Sequence, residues 1–131
     1  MTPNQSVLPR RMEKRGERRH PTPPKFVTAV WLDNGEQRNT KGYLTDLSAG
    51  GFSAMLEKPI AKGRLCRIVF NLGIIDAEDL GVVTAGVRVA KCAYDEPYHK
   101  LGFQFESITP PDLAKVKKAI RFFEIEYGLL Y

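Results

Sequence analysis

The sequence predicts an all-β domain with a terminal helix: a six-stranded antiparallel β-barrel, a C-terminal α-helix packed on it, and a flexible basic arm ahead of both. Three observations carry this. Six short β-branched or aromatic runs are separated by turn signals, with no helical period between them. The apolar spacing switches to steps of three and four only after residue 109. Finally, residues 1–25 hold seven Arg and Lys against two Glu, whereas residues 26–131 hold thirteen of each sign. All of the net charge of +5 therefore sits on the arm.

The arm, residues 1–25, closes with "HPTPPK", whose prolines forbid helix and favour an extended approach to the body. "KFVTAVWLD" (25–33) is the first strand. "DNGE" (33–36) is a hairpin signal, because Asn and Gly tolerate the positive φ of a tight turn. "QRNTKGYLTDL" returns as the second strand and "GGFSAMLE" follows as the third. "KPIAKG" turns into "RLCRIVFNL", the fourth strand, and "GIIDAEDLG" (73–81) reads as a loop. "VVTAGVRVAKCAY" is a long fifth strand, "DEPYH" a turn, and "KLGFQFESI" a sixth, in which Leu101, Phe103 and Phe105 alternate as one strand face should. Closing such strands into a barrel hides their edges.

The barrel thus occupies 26–108, and 109–131 forms the helix of the same domain. Thr109 is placed as its N-cap, Pro110 at its first position and Asp112 near its positive end. Leu113, Val116, Ile120, Phe123 and Tyr127 form the apolar stripe, and Gly128 is the expected C-cap. Lys115, Lys117, Lys118 and Arg121 fall largely off the stripe, as a solvated face does.

Several function classes lose support. No apolar run approaches the roughly 20 residues that span a bilayer, and the N-terminus lacks the apolar segment of a secretory signal. Cys66 and Cys92, each in an apolar stretch, read as buried reduced thiols of a cytoplasmic protein. His20 and His99 have no metal-ligand spacing, no nucleophile elbow or phosphate-cradling glycine loop is present, and Ser48 has no partnering base. The chain is expected not to be an enzyme, and to use no metal and no cofactor.

What remains is a basic segment, "RGERR" (15–19), and a loop, "DLSAGG" (46–51). Arginine forks engage phosphate oxygens with two bonds and stack on purines. A carboxylate accepts from the Watson–Crick edge of guanine, and small hydroxyls and bare glycine amides fit where side chains would block. Asp46 and Ser48, two apart, would share a face on an extended strand. The bland alternative is that Asp46 and Ser48 only cap a turn and that Gly50 and Gly51 only serve a bulge. Trp31 and Tyr43 read as core or strand-surface residues rather than base-stacking platforms.

Arg15-Gly-Glu-Arg-Arg19, followed by Asp46-Leu-Ser48-Ala-Gly-Gly51 and by "KLGFQF" with Gly102, resembles the PilZ domain signature from about residue 11 to the C-terminus. The resemblance implies a receptor for the bacterial second messenger cyclic di-GMP. Arg15 and Arg19 would grip phosphates and guanines, Asp46 and Ser48 would hold guanine, and Gly51 would keep the turn open, with Lys14, Arg18 and Gly50 as further candidates. Lys14, just before the first arginine, would by the same resemblance favour two stacked ligand molecules over one. A second frame, Arg11 to Arg15, overlaps the first, but Arg15/Arg19 lies closer to the first strand. The expected mechanism is an arm pinned by the dianionic ligand, relaying the signal to an unknown downstream effector protein. The alternatives are a PilZ-fold interaction adaptor without nucleotide, and a nucleic-acid-binding barrel. The neutral body and the lack of basic–aromatic interleaving speak against the last.

Overall fold

The computed structural model describes residues 20–21 and 25–126. Among these residues, seven strands precede one helix: β1 (His20–Pro21), β2 (Phe26–Asp33), β3 (Glu36–Leu47), β4 (Gly51–Leu56), β5 (Leu65–Ile75), β6 (Glu78–Asp95), β7 (Tyr98–Ile108) and α1 (Pro110–Glu126). β2 through β7 are the six expected strands. Neighbours run β3-β2-β5-β6-β7-β4, and β4 pairs back onto β3, so the ring closes; every pairing is antiparallel. The two-residue β1 continues along β3 where β2 leaves off, pairing His20 with Leu47 and Pro21 with Asp46.

Period-two patterning fills the interior. Val27, Ala29 and Trp31 of β2, Cys66, Ile68, Phe70 and Leu72 of β5, and Val83, Ala85, Val87 and Val89 of β6 are buried on alternate positions. Phe52 of β4 stacks on Phe103 of β7 at 4.9 Å and meets Phe70 edge-on at 5.4 Å. Burial pushes the Cys66 thiol up to about 11, with Arg64 pulling it partly back, so it stays protonated at neutral pH. Cys92 is half-buried.

The β2–β3 hairpin turns at Asn34 and Gly35, both at positive φ, as "DNGE" predicts. The segment 73–81, read from sequence as a loop, is instead a hairpin. β5 runs on to Ile75, and a two-residue turn at Asp76 (φ 54°) and Ala77 (φ 63°) leads straight into β6. Its polar tip disguises it. Gly73 and Gly81, opposite one another at positive φ, mark irregular register, and each receives a neighbouring cap: Gly73 N–H donates to Asn71 Oδ1 at 2.9 Å and Gly81 N–H to Asp79 Oδ1 at 3.0 Å.

The helix begins as expected, with Asp112 N–H donating to Thr109 Oγ1 and Leu113 N–H to the Thr109 carbonyl. Val116, Ala119 and Phe123 are buried in the same core as the strands, with Ile120 and Phe122 packed partly against it. Leu113 is only half-buried, and Ala119 takes a place on the buried face that the predicted stripe did not include. Tyr127 and Gly128 lie outside the described residues. Part of the lysine face turns back to the barrel: Lys115 Nζ donates to the Val82 carbonyl and Lys118 pairs with Glu78 at the hairpin tip. No helix among the described residues is long and apolar enough to cross a membrane.

Candidate functional site

The site is built around the C-terminal end of β3. The register between β3 and β4 shifts between Leu44 and Asp46, which makes Thr45 an extra residue. Without that bulge the alternation that buries Leu44 would bury Asp46. With it, Leu47 returns to the core and Asp46 stays half-buried on the outer side. Thr45 Oγ1 is buried there without a hydrogen-bond partner.

Ser48 lies beyond the end of β3, so strand alternation does not carry its side chain to the face of Asp46. It is buried, and its hydroxyl is spent on the turn. Gly50 N–H and Gly51 N–H donate to Ser48 Oγ at 3.3 and 3.2 Å, the hydroxyl donates to the Gly51 carbonyl at 3.2 Å, and Ser48 N–H reaches that carbonyl at 2.8 Å. Gly50 is tied outward as well, its carbonyl accepting from Phe105 N–H at 2.8 Å. Gly51 is glycine for a packing reason: a Cβ there would lie 2.0 Å from the Phe103 carbonyl oxygen. The loop is thus stitched to itself and to β7, which holds the end of β3 in one place.

The strand register then assembles a row that no local motif announces. Pro21 pairs with Asp46, Asp46 with Ser53, Ser53 with Gly102, and Gly102 with Lys91. Ser53 sits between core-facing Phe52 and Ala54, and Gly102 between core-facing Leu101 and Phe103, so the row lies on the outer face. The Lys91 stem crosses Gly102, where a Cβ would meet Lys91 Cγ at 3.3 Å. An acid, a hydroxyl, a bare backbone and a cation therefore follow one another over three strand spacings, roughly 14 Å. Tyr43, in the next outward position on β3, meets Tyr98 edge-on at 5.9 Å, and its cross-strand partner Phe26 is 84% exposed. Trp31 is core, and Tyr43 is a strand-surface residue.

Of the predicted site residues, Asp46, Ser48, Gly50 and Gly51 converge at this end of β3. Arg11, Lys14, Arg15, Arg18 and Arg19 lie outside the described residues. Ser53 and Lys91 escaped the sequence reading. Ser53 carries no motif, and Lys91 is distant in sequence and becomes a neighbour only through the β3–β4–β7–β6 register. Among the described residues no three His, Cys, Asp or Glu side chains cluster as a metal site would need.

The chain belongs to the PilZ domain family, whose model matches residues 9–122. No curated protein matches it by sequence. Among solved structures it is similar to the PilZ domain of YcgR from Escherichia coli with c-di-GMP (cyclic di-GMP), with a TM-score of 0.67 and 21% identity, covering 90% of this chain and 97% of that domain. It is also similar to the Bacillus subtilis inhibitor of motility MotI/DgrA (TM-score 0.66, 16% identity, 90% of this chain and 54% of that one). A third is the K. pneumonia MrkH–c-di-GMP complex (TM-score 0.65, 16% identity, 92% and 57%). The chain thus spans one whole PilZ domain of the first and about half of the two longer proteins.

Proposed function

We propose that this chain is a receptor for cyclic di-GMP that performs no chemistry and passes the signal to a partner protein. The observation that carries the reading is the pairing of β1 with the end of β3. Arg19 immediately precedes His20, whose partner is Leu47, and Pro21 is the partner of Asp46. One peptide unit spans about 3.8 Å, so this pairing supports an RxxxR segment working within side-chain reach of Asp46. In the proposed complex Asp46 accepts from the guanine edge, Arg15 and Arg19 engage phosphates and purine faces, and Lys91 meets the ligand from the far end of the row. Ser48, Gly50 and Gly51 hold the bed on which it lies. Neutralising the arm's cations pins the arm against β3 and alters the surface an effector reads. The similarity to the YcgR PilZ domain and to MrkH, both in structures with c-di-GMP, supports this ligand over other anions.

A second reading, an adaptor of the same fold without nucleotide, is favoured by the complete structural role that Ser48 and Gly51 already have in the turn. Titration calorimetry with cyclic di-GMP separates the two. The receptor reading expects saturable heat, lost in Arg19→Ala and weakened about tenfold or more in Asp46→Ala, as losing a hydrogen bond to a charged group implies. An absence of binding in the wild type, checked by equilibrium dialysis, leaves the adaptor.

A further inference from the structure

The opposite end of β3 borders an open groove of about 910 Å³ on the outside of the barrel, between the β2–β3 hairpin, the loop and first residues of β5, and Arg88 in the middle of β6. We infer that this groove is a docking site for an acidic segment of a partner protein in which carboxylates are interspersed with apolar side chains. The inference does not rest on nucleotide binding.

Its cations come from three places. Arg67 stands on the outer face of β5, Arg88 on that of β6, and Lys62 and Arg64 in the loop before β5. Two are pre-set. Arg64 donates to the Leu32 carbonyl at 3.0 Å and lies 3.8 Å from Asp33, while Arg88 donates to the Gly63 carbonyl at 3.1 Å and to Glu106 at 3.3 Å. Lys62 and Arg67 have no carboxylate partner among the described residues. Between these charges lie Leu32, 63% exposed, and Leu65, 55% exposed. Two large aliphatic side chains left in water beside unpaired cations mark a surface complementary to mixed acidic and apolar chemistry.

Charge selects the occupant. The chain's own arm, with seven basic and two acidic residues, is repelled. A nucleic-acid strand carries a charge on every phosphate and would bring some of them against Asp33 and Glu106. It would also find no stacking platform, because Trp31 is only 8% exposed. A peptide can set its carboxylates on Arg67 and Lys62 and its apolar side chains on Leu32 and Leu65. The barrel is closed, so the peptide is held by side chains and not as an added strand.

Trp31 lines the groove and is the chain's single tryptophan, so its emission reports occupancy. The probe is a short synthetic peptide alternating aspartate and leucine, titrated into the full chain without nucleotide. Its lysine-for-aspartate counterpart and a single-stranded oligonucleotide are run in parallel. The expected result is a saturable Trp31 change with the acidic peptide only, weakened about tenfold in Arg67→Glu and severalfold in Leu65→Ser. Both substitutions are at exposed positions, and circular dichroism confirms that each variant is folded. No saturable change with the acidic peptide, equal binding by Arg67→Glu, or tighter binding of the oligonucleotide overturns the assignment.

Discussion

At the scale of single residues, the D-x-S-x-x-G loop divides into a residue that faces outward and residues that keep it there. Ser48 Oγ accepts from two backbone N–H groups in a buried turn, and its removal strands both. Leaving buried donors unpaired costs about 1–3 kcal/mol. Ser48→Ala is therefore expected to lower the chemical-denaturation midpoint by that order. Gly51→Ala, which drives a methyl into the Phe103 carbonyl, should cost more, about 2–4 kcal/mol. Asp46→Ala should change stability by less than about 1 kcal/mol, because the side chain is half-exposed at the surface, while weakening nucleotide binding about tenfold or more. Measuring denaturation and binding on the same three variants checks this division. If Ser48→Ala loses affinity with no loss of stability, its hydroxyl belongs to the ligand and not to the turn.

At the scale of elements, the strands and the helix start were legible because local chemistry determines them: alternation in β5 and β7, Asn-Gly at the first hairpin, Thr-Pro-Pro-Asp at the head of α1. The β5–β6 hairpin was not, because its turn uses Asp76 and Ala77 where a glycine pair would have announced it, and its polar tip imitates a loop. The Ser53–Gly102–Lys91 continuation of the site was hidden for a different reason. It depends on register across three strands and on the Thr45 bulge, neither of which any short stretch of sequence encodes. The hairpin offers its own check. Ala77 sits at φ 63°, where an L-residue with a Cβ loses about 1–2 kcal/mol, whereas glycine sits without strain. Glycine also loses more chain entropy on folding, which offsets about 0.5–1 kcal/mol of the relief. Ala77→Gly should thus raise the thermal midpoint by a few degrees, and Ala77→Val, β-branched at the same φ, should lower it. Equal midpoints for the two variants would mean that the Lys118–Glu78 pairing holds the tip strongly enough to make the turn conformation irrelevant.

At the scale of the molecule, the charge distribution decides between ligand classes. Residues 26–131 are neutral, and the excess of five positive charges lies in residues 1–25, four of them in residues 1–19, ahead of the point where the chain joins β3. A cyclic dinucleotide presents two phosphate charges to that arm. An oligonucleotide held by six or more phosphate contacts would release as many counterions and lose about 10³-fold in affinity or more between roughly 50 and 200 mM salt. A dianion engaged by hydrogen bonds and stacking should lose about tenfold at most over the same range, because only two charges are screened. The expected outcome is therefore shallow salt dependence of cyclic di-GMP binding, measured by calorimetry across that range, together with its abolition in an Arg15→Ala/Arg19→Ala double variant. The core of the described residues is built from side chains between Val27 and Phe123, and the double variant is expected to keep the wild-type unfolding midpoint. A steep slope, or an oligonucleotide that outcompetes the dinucleotide at physiological salt, would reassign the arm to nucleic acid. Asp46 would then be left as a surface carboxylate with no ligand to accept from.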